Sequence, residues 1–167
     1  MKNPFEIPFV GLKLGTHEFE FELDKTLFEK FPNSLIEEGE LIGIMMLEKK
    51  ETMMIANFSV AGFVTVNCAR CNEEMEDYLD GQITIYYKFG TEEEEDENLI
   101  VLPPEAYFID VSQPFYELIT VSLPSRTVHD EGECDEEMVK ILEKLQAKPT
   151  ENKEEIDPRW AALKNLN

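Results

Sequence analysis

Residues 52–71 read TMMIANFSVAGFVTVNCARC and join a long strand-like run to a Cys-x-x-Cys turn. Alternate positions of the run are apolar or glycine, which is the period-two pattern of a half-buried strand. These positions are Phe58, Val60, Gly62, Val64 and Val66. Gly62 within this pattern indicates a bulge or a close approach of a neighbouring backbone. Because Cys68 and Cys71 follow directly, we expect them in the tight turn that leads into the next strand.

Further strand-like runs lie on both sides of this stretch. Glu40–Leu47 precedes it, and the polar residues 48–51 between the two runs are typical of a hairpin connection. A run over about Met75–Phe89 follows the cysteines. Consecutive runs with short connections predict a meander of antiparallel strands. The pattern allows this sheet to close like a barrel and leaves the strand order open.

One short helix pattern precedes the meander, and two longer ones follow it. Residues 5–23 look extended, and Asp24 can cap a short helix through Phe31. Ser112 is predicted to cap a longer helix and Asp135 a third, each with apolar side chains at helical spacing. Since strands and helices are segregated along the chain, the predicted fold class is α+β, with helices mainly in the C-terminal half.

The 167 residues are enough for one domain. We expect that domain to span residues 1–147. Residues 148–167 are predicted to be an acidic linker followed by a short helical motif, Asp157–Leu163, which carries the single tryptophan. The unbroken acidic run Glu92–Glu97 predicts a solvated loop, because like charges repel one another.

The negative charge of the chain limits the classes of partner that it can bind. The chain has 36 Asp and Glu against 15 Lys and Arg, a formal net charge of −21. A phosphate backbone attracts cationic side chains, so direct binding to naked nucleic acid is disfavoured. Anionic membrane surfaces are disfavoured for the same reason. Two explanations remain: the acidity confers solubility, or it complements a basic protein partner.

Nothing in the sequence indicates export or membrane insertion. The N-terminus lacks an apolar stretch of signal-peptide length, and no run approaches a membrane span. We therefore expect a cytoplasmic protein with reduced thiols, and three cysteines fit that compartment better than a disulfide framework does. The sequence does not indicate an oligomeric state.

Two pairs of soft ligands stand out: Cys68 with Cys71, and far downstream His129 with Cys134. Together they would make a Cys₃His set, which is a known structural zinc type. Such a site would cross-link a turn between strands to the loop after a helix. Thiols without metal remain an alternative, because a Cys-x-x-Cys turn alone is a weak signal.

Redox chemistry at Cys68 and Cys71 is a second alternative. It requires a lowered thiol pKa, usually from a helix N-terminus or a nearby cation, and the sequence offers only Arg70. A thioredoxin-like pair should also follow a strand and begin a helix, whereas this pair falls between strands. No phosphate-binding glycine loop or nucleophile elbow is present, and His17 is expected to be exposed and idle. We therefore expect no catalytic activity.

The order of these features resembles the bacterial YceD family, the large ribosomal RNA subunit accumulation proteins. The resemblance covers roughly residues 40 to 165 and depends on order and spacing together. In chain order its elements are Cys68–Cys71, an acidic loop, Phe108–Val111, Glu117–Ile119, Leu123-Pro124, His129 with Cys134, and Asp157–Leu163.

This resemblance implies a role in the synthesis, processing or stability of large-subunit ribosomal RNA, with no established catalytic activity. Combined with the acidity, it suggests a hypothesis: the protein binds a basic ribosomal protein or assembly factor and affects the RNA through it. Arg159, Trp160 and Leu163 are candidate partner-binding residues. The alternatives are a zinc-stapled protein-interaction module with another role, and a Cys-x-x-Cys thiol oxidoreductase.

Overall fold

The computed structural model describes residues 3–32, 34–36, 38–91, 96 and 98–146. Within these ranges the chain forms seven strands and three helices. The strands are β1 (Glu6–Pro8), β2 (Gly15–Leu23), β3 (Glu38–Lys49), β4 (Met53–Asn67), β5 (Glu74–Phe89), β6 (Leu99–Leu102) and β7 (Phe108–Asp110). The helices are α1 (Lys25–Phe28), α2 (Ser112–Ser122) and α3 (Glu136–Leu145). No helix in the described part of the chain is long and apolar enough to cross a membrane.

Five strands form one sheet in the order β2-β3-β4-β5-β6. The first four pair antiparallel in sequence order, and β6 pairs parallel to β5. Strands β1 and β7 form a separate antiparallel pair, with Ile7 opposite Ile109. The predicted α+β class and antiparallel meander are therefore confirmed.

The sheet is open, so the barrel-like closure that the sequence pattern allowed does not occur. Closure is one way to bury the apolar face of a sheet, and covering that face with other elements is another. Here α2 packs on β4 and β5, and α1 packs on β3. Because these helices cover the inner face, its apolar side chains are buried without closure of the sheet into a barrel.

Phe115 of α2 is at the centre of the core. Its ring meets Phe58 of β4 edge-on at a centroid distance of 5.0 Å and Phe21 of β2 at 5.1 Å. Leu118 and Ile119 on the same helix are also fully buried. Burying one such side chain contributes about 1.5–3 kcal/mol. The helical stripe predicted after Ser112 is thus the element that holds the inner face of the sheet.

Local caps define the helix starts. The Asp24 carboxylate accepts the Thr26 N–H at 2.9 Å, and Asp135 accepts the Met138 N–H at 2.8 Å, as predicted. The prediction of Ser112 as a cap is wrong. Ser112 is the first residue of α2, and both its N–H and its hydroxyl donate to Asp110, at 2.8 and 2.6 Å.

Gly62 lies at a close approach of two strands. The β3–β4 register is continuous, with Leu41 opposite Gly62, so there is no bulge here. Gly62 has φ +151, and a Cβ on it would overlap the Glu40 carbonyl oxygen and the Leu41 Cα. Both the backbone conformation and the lack of space therefore require glycine.

Substituting Gly62→Ala should lower the free energy of unfolding by roughly 2–3 kcal/mol, because it adds backbone strain and forces β3 away from β4. Gly11→Ala is the matched control, since a Cβ there meets nothing within 4 Å. Urea denaturation of the three proteins measures the difference. Equal midpoints for both alanine variants would contradict the close approach of β3 to β4.

Candidate metal centre

The turn between β4 and β5 carries Cys68 and Cys71, as predicted. The Cys68 N–H donates to the Glu73 carbonyl at 2.9 Å, and the Asn72 N–H donates to the Cys68 carbonyl at 2.8 Å. Asn72 has φ 63, a left-handed conformation that asparagine tolerates better than most residues. These bonds tighten the turn and place both sulfur atoms on the same side of it.

The loop between α2 and α3 is attached to this turn through Thr127. The Ala69 N–H donates to the Thr127 carbonyl at 2.8 Å, and the Thr127 hydroxyl donates to the Asn67 carbonyl at 3.1 Å. These two bonds bring His129 and Cys134 next to the cysteine turn. Sequence reasoning missed Thr127, because a backbone contact between distant segments leaves no residue pattern.

The four predicted ligands converge in the structure. Their candidate donor atoms, the sulfurs of Cys68, Cys71 and Cys134 and a ring nitrogen of His129, lie within 4.8 Å of one another. Cys68 Sγ and Cys134 Sγ are 3.9 Å apart, and His129 Nδ1 lies 3.3 Å from Cys71 Sγ. The same nitrogen lies 3.9 Å from Cys134 Sγ.

The 3.9 Å between Cys68 Sγ and Cys134 Sγ is close to the spacing of two sulfur ligands on one metal ion. With Zn–S bonds of about 2.3 Å, tetrahedral geometry places two sulfur ligands about 3.8 Å apart. The three cysteines are buried, His129 is half-buried, and Met75, Val128 and Val139 pack around the sulfurs. The four side chains could therefore hold one metal ion between them.

The chain was compared with known protein families, curated proteins and solved structures. The family model described as "Large ribosomal RNA subunit accumulation protein YceD" matches residues 56–167, more than half of the chain. The chain belongs to the YceD family. The match begins within β4 and includes all four candidate ligands. No curated protein and no solved structure matches the chain significantly.

Backbone N–H groups favour thiolate at the Cys-x-x-Cys turn of this YceD-family chain. Burial acts to raise the pKa of Cys68, but backbone N–H groups of Cys71, His129 and Arg70 outweigh it and lower the pKa to about 5. The Arg70 and His129 N–H groups lie 3.4 and 3.5 Å from Cys68 Sγ. The pKa of Cys71 is also lowered, chiefly by the N–H of Glu73.

The pKa values of the other two candidate ligands, Cys134 and His129, are raised. Burial raises the pKa of Cys134, and its hydrogen bonds with Cys68 and Cys71 add to that rise. The hydrogen bond to Cys71 raises the pKa of His129, because it stabilises the imidazolium. Negative charge thus accumulates at Cys68 and Cys71, and a bound cation would compensate it. Metal ligands must be deprotonated, so Cys68 and Cys71 are already disposed to bind a metal, whereas Cys134 and His129 would have to release their protons on binding.

Arg70 does not act as the sequence suggested. Its guanidinium Nη1 lies 3.9 Å from Cys134 Sγ, on the other half of the cluster. The backbone, and not a cationic side chain, lowers the pKa of Cys68. The expectation that only Arg70 could favour thiolate at this turn is therefore wrong, since backbone N–H direction cannot be read from residue types.

The other residues that the sequence singled out are not part of the described cluster. His17 lies outside the cluster, in β2, where it is half-buried and its Nε2 is 2.8 Å from the Lys13 carbonyl oxygen. It is therefore less exposed than expected. The partner-binding candidates Arg159, Trp160 and Leu163 lie outside the described residues.

Zinc content tests the four-ligand set. We expect about one zinc per chain by elemental mass spectrometry, a content that His129→Asn lowers severalfold, because it removes one of four ligands. The chain has only two histidines, so His17→Asn is the matched control and should retain its zinc. Equal zinc content in both variants, or no metal in the purified protein, would exclude this site.

Metal removal should loosen the segment after α2. Helix α3 has no buried residue, and its Val139 packs against the cysteine cluster. Chelation should therefore raise amide hydrogen exchange in residues 124–146 by about tenfold or more, while β2 and β3 keep their protection. Uniform deprotection of the whole chain would show that the ion supports the entire fold and not this segment.

Proposed function

We propose that this protein is a cytoplasmic, non-enzymatic accessory factor of ribosome biogenesis. It affects the synthesis, processing or stability of large-subunit ribosomal RNA by binding a basic ribosomal protein or assembly factor. The observation that carries the proposal is the family match, whose description names accumulation of the large ribosomal RNA subunit. The match begins within β4 and includes β5, α2, α3 and the four candidate ligands.

Charge favours a protein intermediary over direct contact with RNA. With a net charge of −21, the chain repels a phosphate backbone and attracts Lys- and Arg-rich surfaces. Proteins that bind ribosomal RNA must carry such surfaces to neutralise phosphates. An acidic factor can therefore hold one of them before or during its delivery to the RNA.

The metal centre supports this role indirectly. Zinc held by Cys68, Cys71, His129 and Cys134 would cross-link the β4–β5 turn to the loop before α3. A site with four protein ligands leaves no open position for a substrate, so its contribution is to folding. The same geometry would serve a zinc-stapled interaction module with another role. Identifying the partner would distinguish that role from the one in ribosome biogenesis.

The low pKa of Cys68 is the one observation that favours the oxidoreductase alternative. In that mechanism Cys68 would attack a disulfide and Cys71 would resolve it. However, Cys134 and His129 lie within 3.9 Å of these sulfurs and complete a ligand set. A bound metal would occupy both thiolates, so we favour the structural role.

A binding experiment tests the proposed function. Immobilised full-length protein should capture basic proteins from an RNA-free mixture of large-subunit ribosomal proteins. Its affinity should fall by about tenfold or more between about 50 and 200 mM salt, because screening shortens the reach of surface charge. Bare large-subunit ribosomal RNA should not bind at physiological ionic strength. Tight binding of that RNA without any bridging protein would overturn the proposal.

A further inference from the structure

Among the residues that the structure describes, nothing packs over several large apolar side chains on the outer face of the five-stranded sheet. Helices α1 and α2 pack on the inner face. On the opposite face Ile42, Phe63 and Tyr78 are 53 %, 52 % and 54 % exposed. We call these three residues the outer patch. Clustered exposed apolar side chains on a polar surface are a feature of interaction sites.

The three side chains are neighbours across three strands. Phe63 and Tyr78 are directly opposite in the β4–β5 register, with ring centroids 5.3 Å apart and an interplanar angle of 66°. On β3, Glu40 is opposite Phe63, and Ile42 is opposite Ala61. Ile42 is therefore the diagonal neighbour of Phe63 on the same face. The outer patch is one continuous surface.

Carboxylates surround the outer patch. Glu22 of β2 is opposite Ile42, and Glu40 is opposite Phe63. Glu76 and Asp80 flank Tyr78 at two residues on either side along β5, so they share its face. All four are exposed. Glu18 and Glu20 continue the acidic column along β2. The rim of the patch is thus strongly negative.

A cleft of about 580 Å³ opens beside Phe63. Its charged lining consists of Asp24, Glu38, Glu40, Glu76 and Lys25. Lys25 is paired with Glu38 at 3.1 Å, so the cleft keeps an excess of carboxylates. It is wide enough for a long cationic side chain, whose aliphatic part would contact Phe63.

We propose that the outer patch binds an extended, Lys- and Arg-rich segment of a protein partner. An Arg guanidinium would stack on Phe63 or Tyr78 and pair with Glu40 or Glu76, while an apolar side chain of the segment contacts Ile42. The inference rests on the proposed function, since it names the surface that holds the basic partner.

The charges favour this occupant over the alternatives. A second copy would bring two acidic rims face to face, and RNA would meet the same repulsion. Residues 148–167 of this chain carry four Lys or Arg and four Asp or Glu, so they offer no net positive charge. A basic segment with apolar anchors matches both the rim and the patch.

Two double variants of the full-length protein test the surface. Phe63→Thr with Tyr78→Thr removes the rings but keeps residues that favour strands. Glu40→Gln with Glu76→Gln removes the charge on both sides of Phe63. The matched controls are Tyr107→Thr, whose ring is 63 % exposed and packs edge-on against Phe108, and Glu137→Gln with Glu143→Gln on α3.

The probe is the RNA-free mixture of large-subunit ribosomal proteins, with each captured protein identified by mass spectrometry. Both outer-patch variants should lower capture of basic proteins by tenfold or more, and both controls should bind as the unmodified protein does. Unchanged melting temperature and zinc content would show that the variants are folded. If the unmodified protein binds and the outer-patch variants bind equally, only the surface is wrong. If the unmodified protein captures no basic protein, the proposed function fails as well.

Two further measurements decide between occupants. A dimer in sedimentation that the threonine variant converts to a monomer would assign the patch to a second copy and overturn the proposal. Trp160 is the only tryptophan, so its emission reports on the C-terminal segment. A shift to longer wavelength in the threonine variant would show that this segment covers the patch. A monomer with unchanged emission supports a separate basic partner.

Discussion

Three thiols and an imidazole come within 4.8 Å of one another between the β4–β5 turn and the loop before α3. Backbone N–H groups favour thiolate at Cys68 and Cys71, so charge accumulates where like charges repel. A divalent cation bound among the four side chains would offset this repulsion. The position of α3 depends on the same arrangement, since that helix buries no residue of its own.

The two faces of the sheet differ in how their apolar side chains are covered. The inner face is closed by α2, where Phe115 contacts rings from β2 and β4. On the outer face, Phe63 and Tyr78 form a cross-strand aromatic pair with ring centroids 5.3 Å apart, and such a pair contributes roughly 0.2–1 kcal/mol to the sheet. Both residues are half exposed. Their exposure is what makes the outer face available to the proposed basic partner.

Local patterns predicted most of the fold. Period-two alternation gave the meander, and Asp24 and Asp135 were identified as caps because a side-chain cap is a contact with the next two or three residues. Ser112 failed as a cap because it is already the first residue of α2 and its hydroxyl donates to Asp110. The four-residue strand β6 is too short for a period to show, and the pairing of β1 with β7 joins segments about a hundred residues apart.

The candidate site, like the fold, could be predicted only in part from the sequence. Residue types and spacing were sufficient to name Cys68, Cys71, His129 and Cys134, because soft ligands are rare in this sequence. The pKa shifts could not be predicted, since they depend on the direction of backbone N–H groups in the folded turn. The outer patch was also missed. Phe63 and Tyr78 belong to different strands, and the register that places them opposite each other is a property of the hairpin.

That register also relates the patch to the metal centre. Asn67 and Glu74 are the last pair before the cysteine turn, and Phe63 with Tyr78 lies four pairs further along the hairpin. At about 3.4 Å per residue the separation is roughly 14 Å, too far for a shared contact. Loss of the metal would reach the patch only if the hairpin frayed through all four pairs. Strand β3 pairs with β4 as far as Thr65 and resists such fraying. Metal binding at the turn and the proposed recognition at the patch would therefore be separable within one hairpin.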